Sequence, residues 1–200
     1  MKHQRLLGLV LVFSIFCLGF YGCGGKGGTA ETVSSAPPPQ SKTVYLKNNI
    51  HTQSKGNEYR ANYENWTNPG SGHVIFPVNT AVEVQFARFG FYLTDIKTGR
   101  KIDYEYNDNG MGGMSTEEYV RLITSREPVN LKGLSDADRR GISDGKAYIG
   151  MSKEGVRIAL GYPAVNRTPS LSSSTWVFAK NRWTSTAITF DDKGRVRAIR

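Results

Sequence analysis

The stretch Gly150–Pro163 reads GMSKEGVRIALGYP and carries the strongest structural signal in the chain. Ser152 can cap a helix, and Glu154 places a negative charge in its first turn, where the helix dipole favours it. Apolar residues then recur on one face at helical spacing: Val156, Ala159 and Leu160. Gly161 ends the helix and Pro163 prevents its resumption, so the pattern predicts a short helix with one buried face.

The sequence on either side of this helix extends the pattern. Ser135 starts a second short helix that we expect to reach about Ile142. Downstream, three alternating stretches separated by turn residues read as the strands of a meander: Thr175–Ala179, Trp183–Phe190 and Arg195–Ile199. Two short helices followed by three antiparallel strands predict an α+β arrangement with helices on one face of a sheet.

Three segments in this region, GMSKEGVRIALGYP, TPSLSSSTWVF and ITFDDKGRVRAI, together resemble the SmpA/OmlA/BamE domain. The resemblance covers about residues 142–200 and implies the fold that this family shares with β-lactamase inhibitor proteins. It also implies an outer-membrane lipoprotein that binds protein partners, in the best-known cases as an accessory of the β-barrel assembly machinery. Compact members of the family lack the long β-rich region that precedes the domain here.

That preceding region, residues 43–109, contains several short β patterns. Val82–Phe86 and Ile102–Tyr106 alternate between apolar and polar residues. Further strand candidates are Val44–Lys47, His73–Phe76 and Phe89–Thr94. Short strands with intervening turns predict a small all-β domain, with an SH3-like barrel as the expected form. Residues 110–141 then read as a helical connector, since Ser115–Glu118 is a capping box and Pro128 ends the helix that it opens.

The fold class expected from the sequence is therefore α+β. A C-terminal two-helix plus three-stranded antiparallel sheet, BamE-like and spanning residues 142–200, follows a small all-β domain.

The first 22 residues have the layout of an export signal. Lys2 and Arg5 precede an apolar run of 16 residues, Leu6–Tyr21, which is shorter than the ~20 residues of a membrane-spanning helix. The tetrapeptide FYGC at residues 20–23 resembles a bacterial lipobox, which predicts acylation of Cys23, including palmitate. Phe20 is bulkier than the usual leucine, and cleavage after Ala30 would instead release a soluble protein. Residues 23–42 are rich in Gly, Ser, Thr and Pro and read as a flexible linker.

The net charge of +9 favours acidic partners. Six basic residues gather in the last 21 positions: Lys180, Arg182, Lys193, Arg195, Arg197 and Arg200. One interpretation is a basic stripe that contacts anionic lipid headgroups. The other is a charged edge strand that prevents aggregation. Nucleic acid is not an expected partner of an exported protein.

Few residues offer catalytic chemistry. Both cysteines lie within the first 23 residues, so the body has no thiol, and His51 and His73 have no companions at metal-ligand spacing. No serine lies in a G-x-S-x-G motif. We therefore expect a non-enzyme without metal or cofactor. The polar-aromatic segment Asn57–Asn68 reads as a loop that could form a contact surface.

The function that we expect is that of a lipid-anchored scaffold or accessory protein on the periplasmic face of the outer membrane. Its partners would be envelope proteins, with the outer-membrane barrel assembly machinery as the example that the resemblance provides. One alternative is an inhibitor-like or cell-wall-binding module that acts through the N-terminal β domain. The other is an envelope hydrolase, which would need a polar pocket lined by His51 or His73.

Overall fold

The computed structural model describes residues 43–200. The predicted signal peptide, the lipidation site Cys23 and the whole predicted linker lie outside this range.

Eleven strands and three short helices make up the described chain. The strands are β1 (Val44–Leu46), β2 (Ile50–Lys55), β3 (Glu58–Asn62), β4 (His73–Phe76), β5 (Ala81–Ala87), β6 (Gly90–Asp95), β7 (Lys101–Glu105), β8 (Thr124–Ser125), β9 (Thr175–Ala179), β10 (Ser185–Phe190) and β11 (Val196–Ile199). The helices are α1 (Thr116–Ile123), α2 (Asp136–Asp144) and α3 (Lys153–Leu160). A 3-10 turn at Asn109–Met111 precedes α1. Within residues 43–200, each helix is too short to cross a membrane.

The first eight strands form one curled sheet in the order β4-β2-β3-β7-β6-β5-β1-β8. Neighbouring strands are antiparallel except for β3 and β7, which run parallel. Apolar side chains line the inner face because strand residues alternate between faces, as in the buried Phe91, Leu93, Ile102 and Tyr104. Helix α1 covers this face with Tyr119 and Ile123, and the Tyr119 hydroxyl lies 2.7 Å from that of Tyr104.

The remaining three strands form a second sheet in the order β11-β10-β9, which builds a separate apolar core with α2 and α3. Asp138 fastens the two helices together. Its carboxylate accepts hydrogen bonds from the Ser135 hydroxyl at 2.7 Å and from the backbone N–H of Ser152 at 2.7 Å, the N-caps of α2 and α3. Burial raises the pKa of Asp138, but the hydrogen bonds from Ser135 and Ser152 outweigh it, so the pKa lies below its usual value.

Buried polar side chains of the first region reach the last carbonyls of α3, which have no partner within the helix. Asn49 contributes the largest set of contacts. Its amide donates to the carbonyls of Ile142 at 2.7 Å and Ala159 at 3.3 Å, and its oxygen accepts from the N–H of Val78 at 2.9 Å. The two apolar cores are therefore joined through hydrogen bonds rather than separated by a linker.

Asn65 makes the equivalent contact one residue further along α3. Its amide donates to the carbonyl of Leu160, and a Cβ on Gly161 would lie 2.1 Å from this amide nitrogen. Gly161 also has φ +80° and ψ −161°, a conformation almost confined to glycine. We call Asn49, His51 and Asn65 the polar junction, since the His51 ring also reaches this end of α3.

The expected fold class is wrong. The described chain is mostly β, with an eight-stranded curled sheet, a three-stranded sheet and three short helices, rather than a BamE-like domain behind an SH3-like barrel. The physical reason is that the sequence pattern reports local elements, whereas the polar junction and long-range strand pairing decide how they assemble. Within the predicted connector 110–141, α1 fills the first core and β8 pairs with β1. The domain boundaries remain a prediction.

Local elements were predicted better than their assembly. The capping box at Ser115, the helix that begins after Ser152 and strands β4 and β9 all lie where the sequence placed them. Strand β3 was wrongly interpreted as part of a loop. Its polar residues point outward and only Tyr59 and Ala61 face inward, so its apolar signal is weak.

Candidate functional site

A cleft of about 430 Å³ opens beside the polar junction, and we call it the basic cleft. The loop after β3, strand β4, the end of α2 and the second sheet all contribute to its walls. The lining residues are Thr67, Asn68, His73, Gly145, Lys146, Ala147, Leu160, Lys180, Thr186, Ile188 and Ile199. Because both sheets contribute, the cleft exists only when the two regions are assembled.

The lining residues divide into a basic polar side and an apolar side. Lys146 and Lys180 are exposed and supply two positive charges, and neither aspartate nor glutamate is among the lining residues. Leu160, Ile188 and Ile199 form the apolar part, and Ile199 leaves 40% of its surface exposed. A cleft with this composition can hold a carboxylate or phosphate group next to an apolar one.

Two histidines form a hydrogen-bonded pair at the edge of the basic cleft. His51 Nδ1 lies 3.0 Å from His73 Nε2, and His51 Nε2 lies 2.9 Å from the carbonyl oxygen of Ala159. A carbonyl only accepts, so His51 carries its proton on Nε2 and its Nδ1 accepts from His73 Nε2–H. In the neutral pair this leaves Nδ1 of His73 without a proton.

Both histidines resist protonation. Burial lowers the pKa of His51 to about 4; its hydrogen bond to Ala159 raises the pKa, and the neighbouring His73 lowers it. Burial also lowers the pKa of His73, and the positive charge of Lys146 lowers it further. At neutral pH the charge of the cleft therefore comes from its lysines, and His73 contributes a neutral ring.

A glycine at the end of α2 makes the close packing of the histidine pair possible. Gly145 ends the helix in the left-handed region with φ +60°. A Cβ at this position would lie 2.3 Å from Cδ1 of Ile75 and 3.0 Å from Cε1 of His51. Glycine is therefore needed both for the backbone conformation and for the approach of α2 to β2 and β4, which brings Lys146 to the cleft.

The structure separates the six basic residues predicted to act together. Lys180 and Arg182 lie at the hairpin that joins β9 to β10, and the backbone of Arg200 pairs with that of Ala187 nearby. Lys193 lies in the turn at the opposite end of β10. The remaining two are Arg195, whose guanidinium contacts Gly150 and Asp138, and Arg197 on strand β11. Of the six, only Lys180 lines the basic cleft. Contact of the set with an anionic surface remains a prediction.

The segment predicted as a polar-aromatic loop forms β3 and then a connection to the second sheet. Glu64 accepts from the indole Nε1 of Trp66 at 2.9 Å and pairs with Arg167 at 3.1 Å. The backbone N–H groups of Thr67 and Asn68 donate to carbonyls at the end of β9. Sequence analysis identified His73 and Lys180 as candidates and placed Thr67 and Asn68 in a possible contact segment, but it missed Lys146, which has no local motif around it.

The basic cleft offers few groups for hydrolysis. Its hydroxyls belong to Thr67 and Thr186, and the Thr67 hydroxyl donates to the carbonyl of Ala179 at 3.3 Å. A base next to a nucleophile needs a third group to orient it, which is usually a carboxylate, and the lining residues supply none. Among residues 43–200, no three histidine, cysteine or acidic side chains cluster closely enough to hold a metal ion.

Comparison with family models, with curated proteins and with solved structures gives no match for this chain. Its function is therefore inferred from the residues and their geometry.

Proposed function

We propose that the protein is a binding protein of the bacterial envelope that holds an acidic segment of a partner protein in the basic cleft. Acyl chains on Cys23, palmitate among them, would anchor it to the periplasmic face of the outer membrane. The partner is defined by its chemistry, namely a carboxylate side chain next to an apolar one. Subunits of the barrel assembly machinery are the example that the sequence resemblance suggests.

The observation that carries this proposal is the composition of the basic cleft. Two lysines face an apolar wall with no acidic residue among the eleven that line the cleft. A lysine ammonium is a flexible point charge, which suits a carboxylate whose position varies, while the isoleucine side chains favour an apolar neighbour. Hydrolysis receives no comparable support, because the lining residues lack a nucleophile with an oriented base.

The length of the linker is compatible with an anchored position. From its composition, the 19-residue segment from Gly24 to Lys42 is predicted to behave as a flexible coil with a span of about 24 Å. A body tethered by such a linker would search near the membrane, so that a weak interaction in the cleft would gain from the high local concentration of membrane partners.

The test is affinity purification of the tagged full-length protein from detergent-solubilised envelopes, with mass spectrometry of the proteins that co-purify. We expect a near-stoichiometric partner that is lost when Lys146→Glu and Lys180→Glu are combined, since both charges of the cleft are reversed. The matched control combines Lys97→Glu and Lys132→Glu, two exposed lysines away from the cleft. Partner recovery that is the same in both double variants would contradict the proposal.

The anchor is tested separately. Cys23→Ser should release the protein from the membrane fraction, and mass spectrometry of the wild-type N-terminus should find the acyl chains. A wild-type chain that begins at a residue beyond Cys23 would refute the lipid anchor without bearing on the basic cleft.

A further inference from the structure

The outer face of the eight-stranded sheet carries a second surface, on the side opposite the first core. Arg60 lines four neighbouring depressions of about 320, 140, 370 and 590 Å³. Neighbouring depressions also share further lining residues, so they adjoin one another and form one shallow groove: Tyr92, Asp103, Ala61, Glu105, Glu58 and Gln53. We call this the outer groove; its shape suits an extended ligand better than a compact one.

Strand register places a row of polar and aromatic side chains across the outer face of this sheet, and every member except the one on β5 lines the groove. Directly paired residues share a face of the sheet, and the pairing connects β5, β6, β7, β3 and β2 in turn. The row consists of Gln85, Tyr92, Asp103, Arg60 and Gln53, and we call it the outer row. Tyr92 is half-buried and the other four side chains are exposed.

The spacing of the outer row is set by the sheet. Adjacent strands lie about 4.8 Å apart, so the row presents one side chain per strand at nearly constant intervals. This interval is comparable with the length of one sugar ring in an extended β-linked glycan. A glycan that crosses the strands would therefore place successive rings over successive members of the row.

The chemistry of the outer row also favours a sugar. Amide, carboxylate and guanidinium groups are planar and can each engage a pair of neighbouring hydroxyls through two hydrogen bonds. Tyr92 supplies an aromatic surface on which the C–H face of a sugar ring can pack. The ammonium of Lys101 lies over this ring, 3.7 Å from its centroid, so the flexible lysine side chain would have to move aside for a sugar to pack on that face. Trp66, half-buried, adds a second aromatic ring at the depression next to Gln53.

Charge distinguishes this groove from the basic cleft. Residues lining the four depressions include four basic and three acidic side chains, so their charges nearly cancel: Lys55, Arg60, Arg88 and Lys101 against Glu58, Asp103 and Glu105. A strongly anionic or cationic ligand would meet repulsion from one of these sets. An uncharged ligand rich in hydroxyls meets donors and acceptors without that cost.

We propose that the outer groove binds an extended, uncharged β-linked glycan, with the outer row as its contact residues. The source to which we commit is the sugar backbone of the bacterial cell wall, and this choice alone rests on the envelope location proposed above. A protein that holds a partner in one site and the cell wall in another would position that partner relative to the wall.

The experiment uses the purified chain carrying Cys23→Ser, which removes the acyl anchor and leaves the described residues unchanged. Titration calorimetry measures binding of the β-1,4-linked hexamer of N-acetylglucosamine, with the α-linked glucose hexamer as the non-extended comparator. We expect binding of the first and none of the second. Tyr92→Ala should weaken binding about tenfold, and Tyr92→Phe, which keeps the ring, should bind nearly as well as wild type.

Two double variants that leave the net charge unchanged distinguish the loss of direct contacts with the glycan from an unspecific effect of altering the protein surface. Arg60→Ala combined with Asp103→Ala should weaken hexamer binding by more than tenfold, because both planar hydrogen-bonding groups at the centre of the row are removed. Arg139→Ala combined with Asp136→Ala removes an exposed ion pair on α2 and should leave binding unchanged. Thermal unfolding of every variant confirms that it is folded.

The outcomes are distinct. No binding of the β-linked hexamer, equal binding of both hexamers, or binding that is indifferent to the outer row would each overturn the proposal. The double variant of Lys146 and Lys180 should bind the hexamer normally. The proposal for the outer groove can therefore be refuted without refuting the proposal for the basic cleft, and the reverse also holds. Sedimentation with insoluble cell wall then tests the source, and hexamer binding without wall binding would refute the cell wall as the physiological ligand.

Discussion

The polar junction and the outer row contain similar polar side chains, which are buried in the first region and exposed to solvent in the second. In the junction, the amides of Asn49 and Asn65 and the ring of His51 lie buried against backbone carbonyls of α2 and α3. In the outer row, side chains of comparable polarity face solvent, and Arg60 and Glu58 form an ion pair in which both are about two-thirds exposed. The difference teaches that residue type alone does not identify a binding residue; the decisive question is whether its hydrogen-bonding capacity is already used.

Gly161→Ala should break the junction most severely. The new Cβ would overlap the Asn65 amide, and the backbone conformation is one that alanine rarely adopts. We expect the free energy of unfolding to fall by about 4 kcal/mol, measured by urea denaturation. Gly150→Ala is the matched control, because Gly150 also has positive φ but has open space around it, and it should cost only about 1 kcal/mol. Equal losses would mean that the contact with Asn65 does not matter.

His51 should make the stability of the junction depend on pH. Its pKa falls from 6.5 to about 4 on folding, so between these values the unfolded chain binds a proton that the folded chain does not. The contribution of the neutral His51 to the free energy of unfolding is fully retained above pH 6.5. As the pH falls, the free energy of unfolding decreases, by about 3 kcal/mol at pH 4. Urea denaturation across this range measures it.

His51→Gln serves as the control for this pH dependence, since glutamine keeps an N–H for the carbonyl of Ala159 without titrating. Its unfolding free energy should vary less between pH 6.5 and pH 4 than that of the wild type. An unchanged pH profile in this variant would assign the dependence to other groups.

Asn49→Ala tests whether the junction holds the two cores together. The substitution leaves the buried Val78 N–H without its acceptor and removes one donor from the carbonyls of Ile142 and Ala159, of which Ala159 keeps its contact with His51. The free energy of unfolding should fall by about 2 kcal/mol. Gln53→Ala, an exposed member of the outer row, should change it by less than about 0.5 kcal/mol in the same assay. A similar loss in both variants would remove the distinction between the two regions.

Arg60→Gln should have the smallest effect on stability. It removes an exposed ion pair with Glu58, and such pairs contribute little in water. We expect a change of less than about 0.5 kcal/mol in unfolding free energy by thermal or urea denaturation. A larger loss would show that Arg60 supports the sheet, and its effect on glycan binding would then need a structural explanation.

Local elements could be predicted from the sequence because their causes are local. Ser152 and Gly161 delimit α3 within ten residues, and the capping box at Ser115 does the same for α1. The assembly could not be predicted in this way. Strand β8 has only two residues and exists through its pairing with β1, and nothing near Asn49 in the sequence identifies its partners. A buried asparagine and an exposed one look alike in a sequence.

For the candidate sites too, single residues could be predicted from the sequence but their assembly in space could not. His73 and Lys180 could be noticed as single residues, but their meeting with Lys146 depends on the packing of α2 against β4. The outer row could be predicted only in part: Arg60 lies in the segment interpreted as a possible contact loop, but its pairing with Asp103 in a parallel register could not be foreseen. Parallel neighbours require a long connection, and the sequence between them gives no sign of which strands will meet.

The reach of Asn49 also bears on how late in folding the polar junction can be completed. Its two carbonyl partners lie 93 and 110 residues further along the chain. A chain that emerges from its N-terminus first holds this amide without its native partners until most of the molecule has followed. Contacts of such long sequence separation slow folding. We therefore expect the polar junction to be among the last contacts to form, since the chain through Ala159 must be available first.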